Sequence, residues 1–339
     1  MKTRLSIDPR NLPSLVTLAL FILMFGLGSV SFTGFFSLQN FLDLFIDNSY
    51  LIIIAVGMTL VIISGGIDLS VGSMLALSGM VSASLLEKAH WSPILVIPVV
   101  LLMGVAMGFF MGYLIQKFNV PPFIVTLAGL YFARGLCYVV SLFTIAVNNP
   151  FWQAAAHAQI KIGNSFISPS VVIAIVVLLA GMFVSRYTKF GRTVYAIGGN
   201  EQSAILMGLP VARTKILLYG LSGFCAALAG IVFSFYTLSG YALNGQGMEL
   251  DTIATVVIGG TLLTGGVGSI LGTLFGVLVF GTIQVLIMFQ GTLNSWWTRI
   301  AIGFLVFVFC LLQRLFESSR KKAKGQENKI AESPTAATS

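Results

Sequence analysis

Charge is what this sequence has least of. Asp, Glu, Lys and Arg make up 9% of its 339 residues, where a soluble globular chain carries roughly 25%. Apolar residues reach 57%. So little polar surface does not cover a water-soluble domain of this length, which excludes an ordinary cytosolic enzyme, a disulfide-rich secreted scaffold and a disordered chain. Cysteine is scarce as well. Cys137, Cys225 and Cys310 stand singly in apolar stretches with no paired spacing, as small packing residues do. His90 and His157 lie far apart in loops, so no metal site is visible and no cofactor is implied. Nor does any Gly-Lys pair occur. A phosphate-binding loop requires one, so the chain has no such route to ATP hydrolysis, and a pump built on it takes its energy from a separate subunit.

What is present is a series of long hydrophobic runs. A bilayer core takes about 20 apolar residues per helix, and ten candidates read along the chain: 12–30, 48–64, 69–86, 93–115, 122–141, 168–185, 215–236, 250–264, 269–289 and 295–313. The second, third, eighth and ninth are separated by glycines rather than by charged loops. The net charge of +8 sits at the termini and in a few loops with no basic-aromatic stripe, so it marks the inner side of a membrane rather than a nucleic-acid surface. An even span count with both termini inside places 15 of the 19 Lys and Arg on the cytoplasmic side, and an odd count breaks that asymmetry. The first run exceeds the length of a signal-peptide core and lacks a clean cleavage site, so it reads as a retained span. The expected fold is an all-α polytopic membrane bundle of about ten transmembrane helices. Residues 1–11 form a cytoplasmic N-terminus, 12–315 the membrane domain, and 316–339 a disordered cytoplasmic tail.

The spans are nearly bare of acids. An intramembrane carboxylate costs about 2.5–3.5 kcal/mol on insertion scales, so each one is informative. Asp68 comes nearest, in the run from Gly65 and Gly66 through Asp68 and Ser70 to Gly72 and Ser73. Two readings stand: a capping carboxylate at a turn between helices, or a group that lines or gates a substrate path. One acid makes a poor proton relay. Arg134 is the basic residue deep in a span, and snorkelling or pairing within the bundle accounts for it better than a substrate contact. Glu249 and Asp251 begin the eighth span and Arg299 the tenth, as a solvated outer rim or as docking points for an external partner. Gly104, Gly108 and Gly112 recur every four residues, which suits close helix packing in lipid. Segments 61–75 and 262–274 are faintly alike, a hint of internal duplication.

The most informative loop runs from Tyr195 to Pro210. After Gly198 and Gly199, Asn200 is a good N-cap and Glu201 suits the first helical turn, while Gly208 and Pro210 stop the helix. The expected short helix, 200–207, carries Ala204, Ile205, Leu206 and Met207 as an apolar patch. Such a face fits another protein's groove or a lipid interface.

Four stretches then carry a resemblance. Gly65 to Ser73, Pro122 to Leu127, Tyr195 to Gly208 and Val257 to Thr261, in order along residues 10–315, resemble the sugar-type permeases of bacterial ABC importers, the family of the ribose permease. Gly245 to Asp251 and Gly291 to Thr298 look most like one of the two permeases of the galactofuranose importer. The resemblance implies a ten-helix inner-membrane permease paired with a second permease subunit, two ATP-binding cassettes inside and a periplasmic sugar-binding protein outside. It also implies that the loop helix 200–207 is the coupling helix seated in the ATPase, with Gly199, Asn200, Glu201, Ala204, Leu206 and Gly208 as its candidate residues. Transport would proceed by alternating access, with galactofuranose, ribose or another simple sugar or sugar-like signal as substrate. Of the competing classes, an ion-coupled secondary transporter would need more intramembrane acids, a channel would not need the loop helix, and an intramembrane enzyme would need a catalytic set that is absent.

Overall fold

The computed structural model describes residues 12–292, 294 and 296–311; the N-terminus 1–11 and the tail 316–339 lie outside them. The described chain is almost wholly helical. In order it forms α1 (Leu12–Ser31), α2 (Leu38–Asp47), α3 (Ser49–Ile63), α4 (Val71–Glu87), α5 (Pro93–Phe118), α6 (Pro122–Val140), α7 (Pro150–His157), α8 (Pro169–Tyr187), α9 (Lys189–Gly199), α10 (Glu201–Leu206), α11 (Val211–Thr237), α12 (Met248–Ile258) and α13 (Ile270–Gln290), followed by α14 (Trp296–Leu311). Two small antiparallel ladders complete it: β1 (Ile145–Ala146) with β4 (Ser239–Gly240), and the hairpin of β2 (Ile160–Ile162) with β3 (Ser165–Ile167).

Six helices, α1, α5, α6, α8, α11 and α13, are long and apolar enough to cross a membrane, and α2 with α3 makes a seventh span if the pair, bent by 56°, counts as one. The remaining expected spans fall on shorter helices. α4 has 17 residues and α12 only 11, about 16 Å at 1.5 Å per residue. The stretch 250–264 is therefore not one helix. It ends at Ile258, where Gly259 and Gly260 release the backbone into a loop that lasts to Ser269. α2, α7, α9 and the hairpin have no counterpart among the expected runs, because each carries too many polar residues to read as a span.

α3 shows why the bundle holds. It is apolar on every side, and all of its residues except Tyr50 are buried, the pattern of a helix wrapped completely by others. α11 is the other central element and packs along α5. There the expected glycine spacing does its part: a Cβ on Gly108 would stand 2.2 Å from the Tyr219 carbonyl, and one on Gly104 would stand 2.5 Å from that of Gly223. Only glycine permits that approach, and in lipid such contact replaces the missing hydrophobic drive. The outer helices instead present apolar side chains such as Leu102, Phe110 and Tyr131 to the surroundings.

At the end of the bundle that carries α7, Glu87 accepts hydrogen bonds from the Asn148 and Asn149 amides at 2.8 and 2.9 Å. The buried Trp152 donates to Ser234 at 2.9 Å. These bonds fix a polar cap over the adjoining ends of α4 and α11.

Candidate translocation and coupling site

Two helix breaks form the centre of the site. In the first, α3 ends at Ser64 and Gly65 takes φ +83°, a conformation that suits glycine. The chain then passes through Gly66, Ile67 and Asp68 before α4 begins. Asp68 is fully buried. One oxygen accepts the Ser70 amide at 3.0 Å and the Ser70 hydroxyl at 2.6 Å, and the other accepts the Ser222 hydroxyl of α11 at 2.6 Å. A buried carboxylate is costly unless its oxygens are so occupied. The expected helix cap is replaced by a turn: Asp68 accepts the amide of Ser70, the N-cap residue itself, and among the described residues no side chain caps the first-turn amides of α4. Ser70 sits at the N-cap position, but its side chain is spent on Asp68 and makes no cap bond. In this conformation Asp68 faces protein on every side rather than an open path.

The second break joins α12 to α13. Gly265 and Gly266 adopt φ +85° and +76°, Leu262 and Val267 close a turn through a 3.0 Å backbone bond, and Ser269 caps α13 by accepting the Gly272 amide at 3.0 Å. The two faintly similar segments meet here. The Gly266 amide donates to the carbonyl of Ile63 at 2.8 Å, and the Thr59 and Thr273 hydroxyls bond at 2.7 Å in the adjoining helices.

The loop helix is six residues long, Glu201–Leu206, with Asn200 as its N-cap accepting the Ser203 amide at 2.8 Å. Its end is closed by the Gly208 amide on Ile205 and the Leu209 amide on Ala204, the double bond typical of a glycine-terminated helix. Glu201 pairs with Lys215 of α11. The expected four-residue apolar face divides in two. Ala204 is buried against Ile197 and Val211 and anchors α10 to the bundle, whereas Ile205, Leu206 and Met207 are 56%, 88% and 67% exposed. Gly199 is exposed, with nothing near a Cβ placed on it.

α9 ties this helix to the breaks. Its cap is Thr188, which accepts the Gly191 amide at 3.1 Å. Tyr195 donates its hydroxyl to the Gly268 carbonyl at 2.9 Å. Burial pushes the Tyr195 phenol above its ordinary range, against a smaller opposing effect of the Arg186 charge, so it remains a donor at physiological pH. Neither Tyr195 nor Ser222 is marked as functional by local sequence. Tyr195 lies within a motif already singled out, but Ser222 is one small polar residue in an apolar helix.

Glu249, Asp251 and Arg299 do not form one outward-facing row. Glu249 turns inward, and a Cβ on Gly72 would stand 2.4 Å from its Oε2, an oxygen that is buried and makes no hydrogen bond among the described residues. Asp251 lies within the field of Arg299, whose guanidinium also sits 5.3 Å from the centroid of the Trp296 ring, a cation–π geometry. Arg134 pairs within the bundle as expected, though with carbonyls rather than an acid: it donates to Ala242 and, at 2.9 Å, to Asn244. Arg134 and Arg299 thus approach the loop ahead of α12 from two helices.

A family model described as "Branched-chain amino acid transport system / permease component" matches residues 40–310. The chain is 51% identical over 306 residues to the inner membrane ABC transporter permease protein YjfF of Escherichia coli K12, covering 90% of this chain and 92% of that protein. It is 41% identical over 320 residues to the fructose import permease protein FruG of Bifidobacterium longum, covering 92% and 94%. Against the ribose import permease protein RbsC of Escherichia coli K12 it is 40% identical over 250 residues, covering 73% and 77%. No solved structure gives a significant match. The long apolar helices and the length of these matches lead to one conclusion: the chain is a multi-pass membrane protein that belongs to this permease family, as a sugar-type ABC importer permease of the ribose-permease kind.

Proposed function

We propose that the chain forms the translocation path of an ATP-driven importer for galactofuranose. In this reading it crosses the bacterial inner membrane in ten segments, with α4, α12 and α14 as the shorter crossings and both termini in the cytoplasm. A second permease subunit completes the path, an ATP-binding cassette subunit engages it from inside, and a periplasmic sugar-binding protein delivers substrate from outside. The glycine breaks around Gly65, Gly66, Asp68 and Ser70 act as the gate, and Asp251 and Arg299, with Glu249 behind them, mark the docking side.

The observation that carries the reading is α10. Its terminal caps and buried Ala204 hold a very short helix rigid while Ile205, Leu206 and Met207 project unpartnered. That is the form of an apolar ridge that lies in a partner's groove. The arrangement suits a pathway driven by an attached ATPase, since the chain has no phosphate-binding loop of its own. The galactofuranose assignment is supported by the stretches Gly245–Asp251 and 291–298. Ribose or another simple sugar is the second reading, favoured by the names of the ribose and fructose permeases it resembles.

Reconstitution of the complete transporter in vesicles, with labelled galactofuranose, ribose and fructose offered in parallel, tests the substrate. ATP-dependent accumulation of galactofuranose alone is the expected result. Selective uptake of ribose or fructose would replace the assignment, and uptake without ATP would overturn the ATP-driven reading.

A further inference from the structure

Backbones from three separate elements converge on one point beneath α10. A Cβ added to Gly198 of α9 would stand 1.7 Å from the Ile63 carbonyl and 2.4 Å from the Gly266 amide. Those are the two groups whose 2.8 Å bond joins the helix breaks. One added to Gly265 would stand 2.9 Å from the Gly65 amide and 3.1 Å from the Gly198 carbonyl. The end of α9 is therefore seated against both breaks at backbone distance, with no side chain between them to absorb a displacement.

A second contact lies on the same face of the helix. Tyr195 precedes Gly198 by three residues, a spacing that puts both on one side of α9, and its hydroxyl holds the Gly268 carbonyl at 2.9 Å. That carbonyl belongs to the loop that Ser269 then caps into α13. α9 and α10 share Asn200 as C-cap and N-cap, with no linker between them. A tilt of α10 accordingly has to move α9, and packed backbones pass displacement on rather than deforming.

We propose that Tyr195 and Gly198 are positioning residues that transmit the movement of α10 to both helix breaks at once, so that the two breaks open and close as a pair. The inference rests on reading α10 as the helix that engages the ATPase. Ile205 to Met207 receive the movement, α9 is the lever, and the Ile63–Gly266 bond is the joint on which it bears. A merely structural role for Tyr195 would lower every activity of the complex together. A transmitting role lowers the amount of sugar moved for each ATP hydrolysed.

The test uses the assembled transporter in vesicles, with whichever of galactofuranose, ribose or fructose gives uptake in the parallel assay above. Tyr195→Phe removes one hydroxyl and leaves the ring, so it avoids the clash that makes Gly198→Ala a risk to folding. The expected result is that subunits still co-purify and hydrolysis stimulated by the binding protein stays within about twofold, while sugar moved per ATP falls about fivefold, the factor that one net hydrogen bond commands. Gly26→Ala, which places a methyl in open space on α1, keeps the native ratio. An unchanged ratio in Tyr195→Phe overturns the inference, as does a parallel fall in uptake and hydrolysis. Leu206→Asp separates this failure from that of the underlying reading. If Leu206→Asp retains ATPase capture and uptake, the role of α10 falls; if it loses them while Tyr195→Phe keeps its ratio, only the lever falls.

Discussion

The two helix breaks solve the same problem with different anchors. Both turn the chain on a Gly-Gly pair in the middle of apolar sequence, at 65–66 and at 265–266. The first is held from within the bundle: Asp68 accepts three hydrogen bonds, one of them from Ser222 on α11. The second contains no carboxylate. It is held by backbone bonds and by Tyr195, reaching in from α9. Both breaks thus bear on α9, the arm that carries α10, and the first has in addition a side-chain tie to α11.

Removing the Asp68 anchor gives the largest effect on stability. Asp68→Ala leaves the Ser222 hydroxyl and the Ser70 amide and hydroxyl without their acceptor in a fully buried place. The expected loss is about 2–4 kcal/mol of stability, read as an earlier thermal or denaturant midpoint of the detergent-solubilised permease. Asp68→Asn keeps the shape and one acceptor oxygen and should recover about half of the loss. If Asp68→Ala melted with the native protein, the first break would be no better anchored than the second.

The glycines sharpen the comparison further. Gly65 and Gly265 have nearly the same positive φ, +83° and +85°, so an alanine is strained at both. They differ in space. A Cβ on Gly65 finds its nearest neighbour at 4.0 Å, whereas one on Gly265 stands 2.9 Å from the Gly65 amide. Gly65→Ala should cost about 1 kcal/mol, the conformational strain alone, and Gly265→Ala about 2–3 kcal/mol because crowding is added. Equal midpoints for the two variants would mean that the breaks do not pack as closely as described.

What could be read from the sequence follows from how local each feature is. The ends of α10 were legible because Asn200, Gly208 and Pro210 act on their own neighbours in the chain. The rotation of α10 was not, since it is set by Ile197 and Val211 in flanking helices, and Ala204 therefore turned inward against expectation. Asp68 was legible as the carboxylate of the turn ahead of α4, but its tie to Ser222 spans 154 residues and has no local signature. The glycines of α5 were legible as a packing face from their four-residue period. α2 was hidden because Gln39, Asn40, Asp43 and Asp47 break its apolar run. The inward turn of Glu249 depends on Gly72 in another helix, a contact with no signature in the stretch around Glu249.

The smallest effect on stability is expected at α10, where the largest effect on function is expected. Leu206 is 88% exposed, and substitutions at such surface positions stay within about 0.5 kcal/mol. Leu206→Asp should therefore leave the melting midpoint of the isolated permease unchanged, because the caps at Asn200 and Gly208 and the buried Ala204 are untouched. It places a charge at the crest of the apolar ridge, where a partner's groove would have to desolvate it. Capture of the ATP-binding subunit by the tagged permease should fall at least tenfold, and sugar uptake with it. Glu201→Lys is the less clean variant, since it also breaks the pair with Lys215 and so disturbs the seating of α10 along with its surface. A Leu206→Asp permease that folds, captures its partner and transports at the native rate would remove α10 from the drive path, and the two breaks would lose their common source of motion.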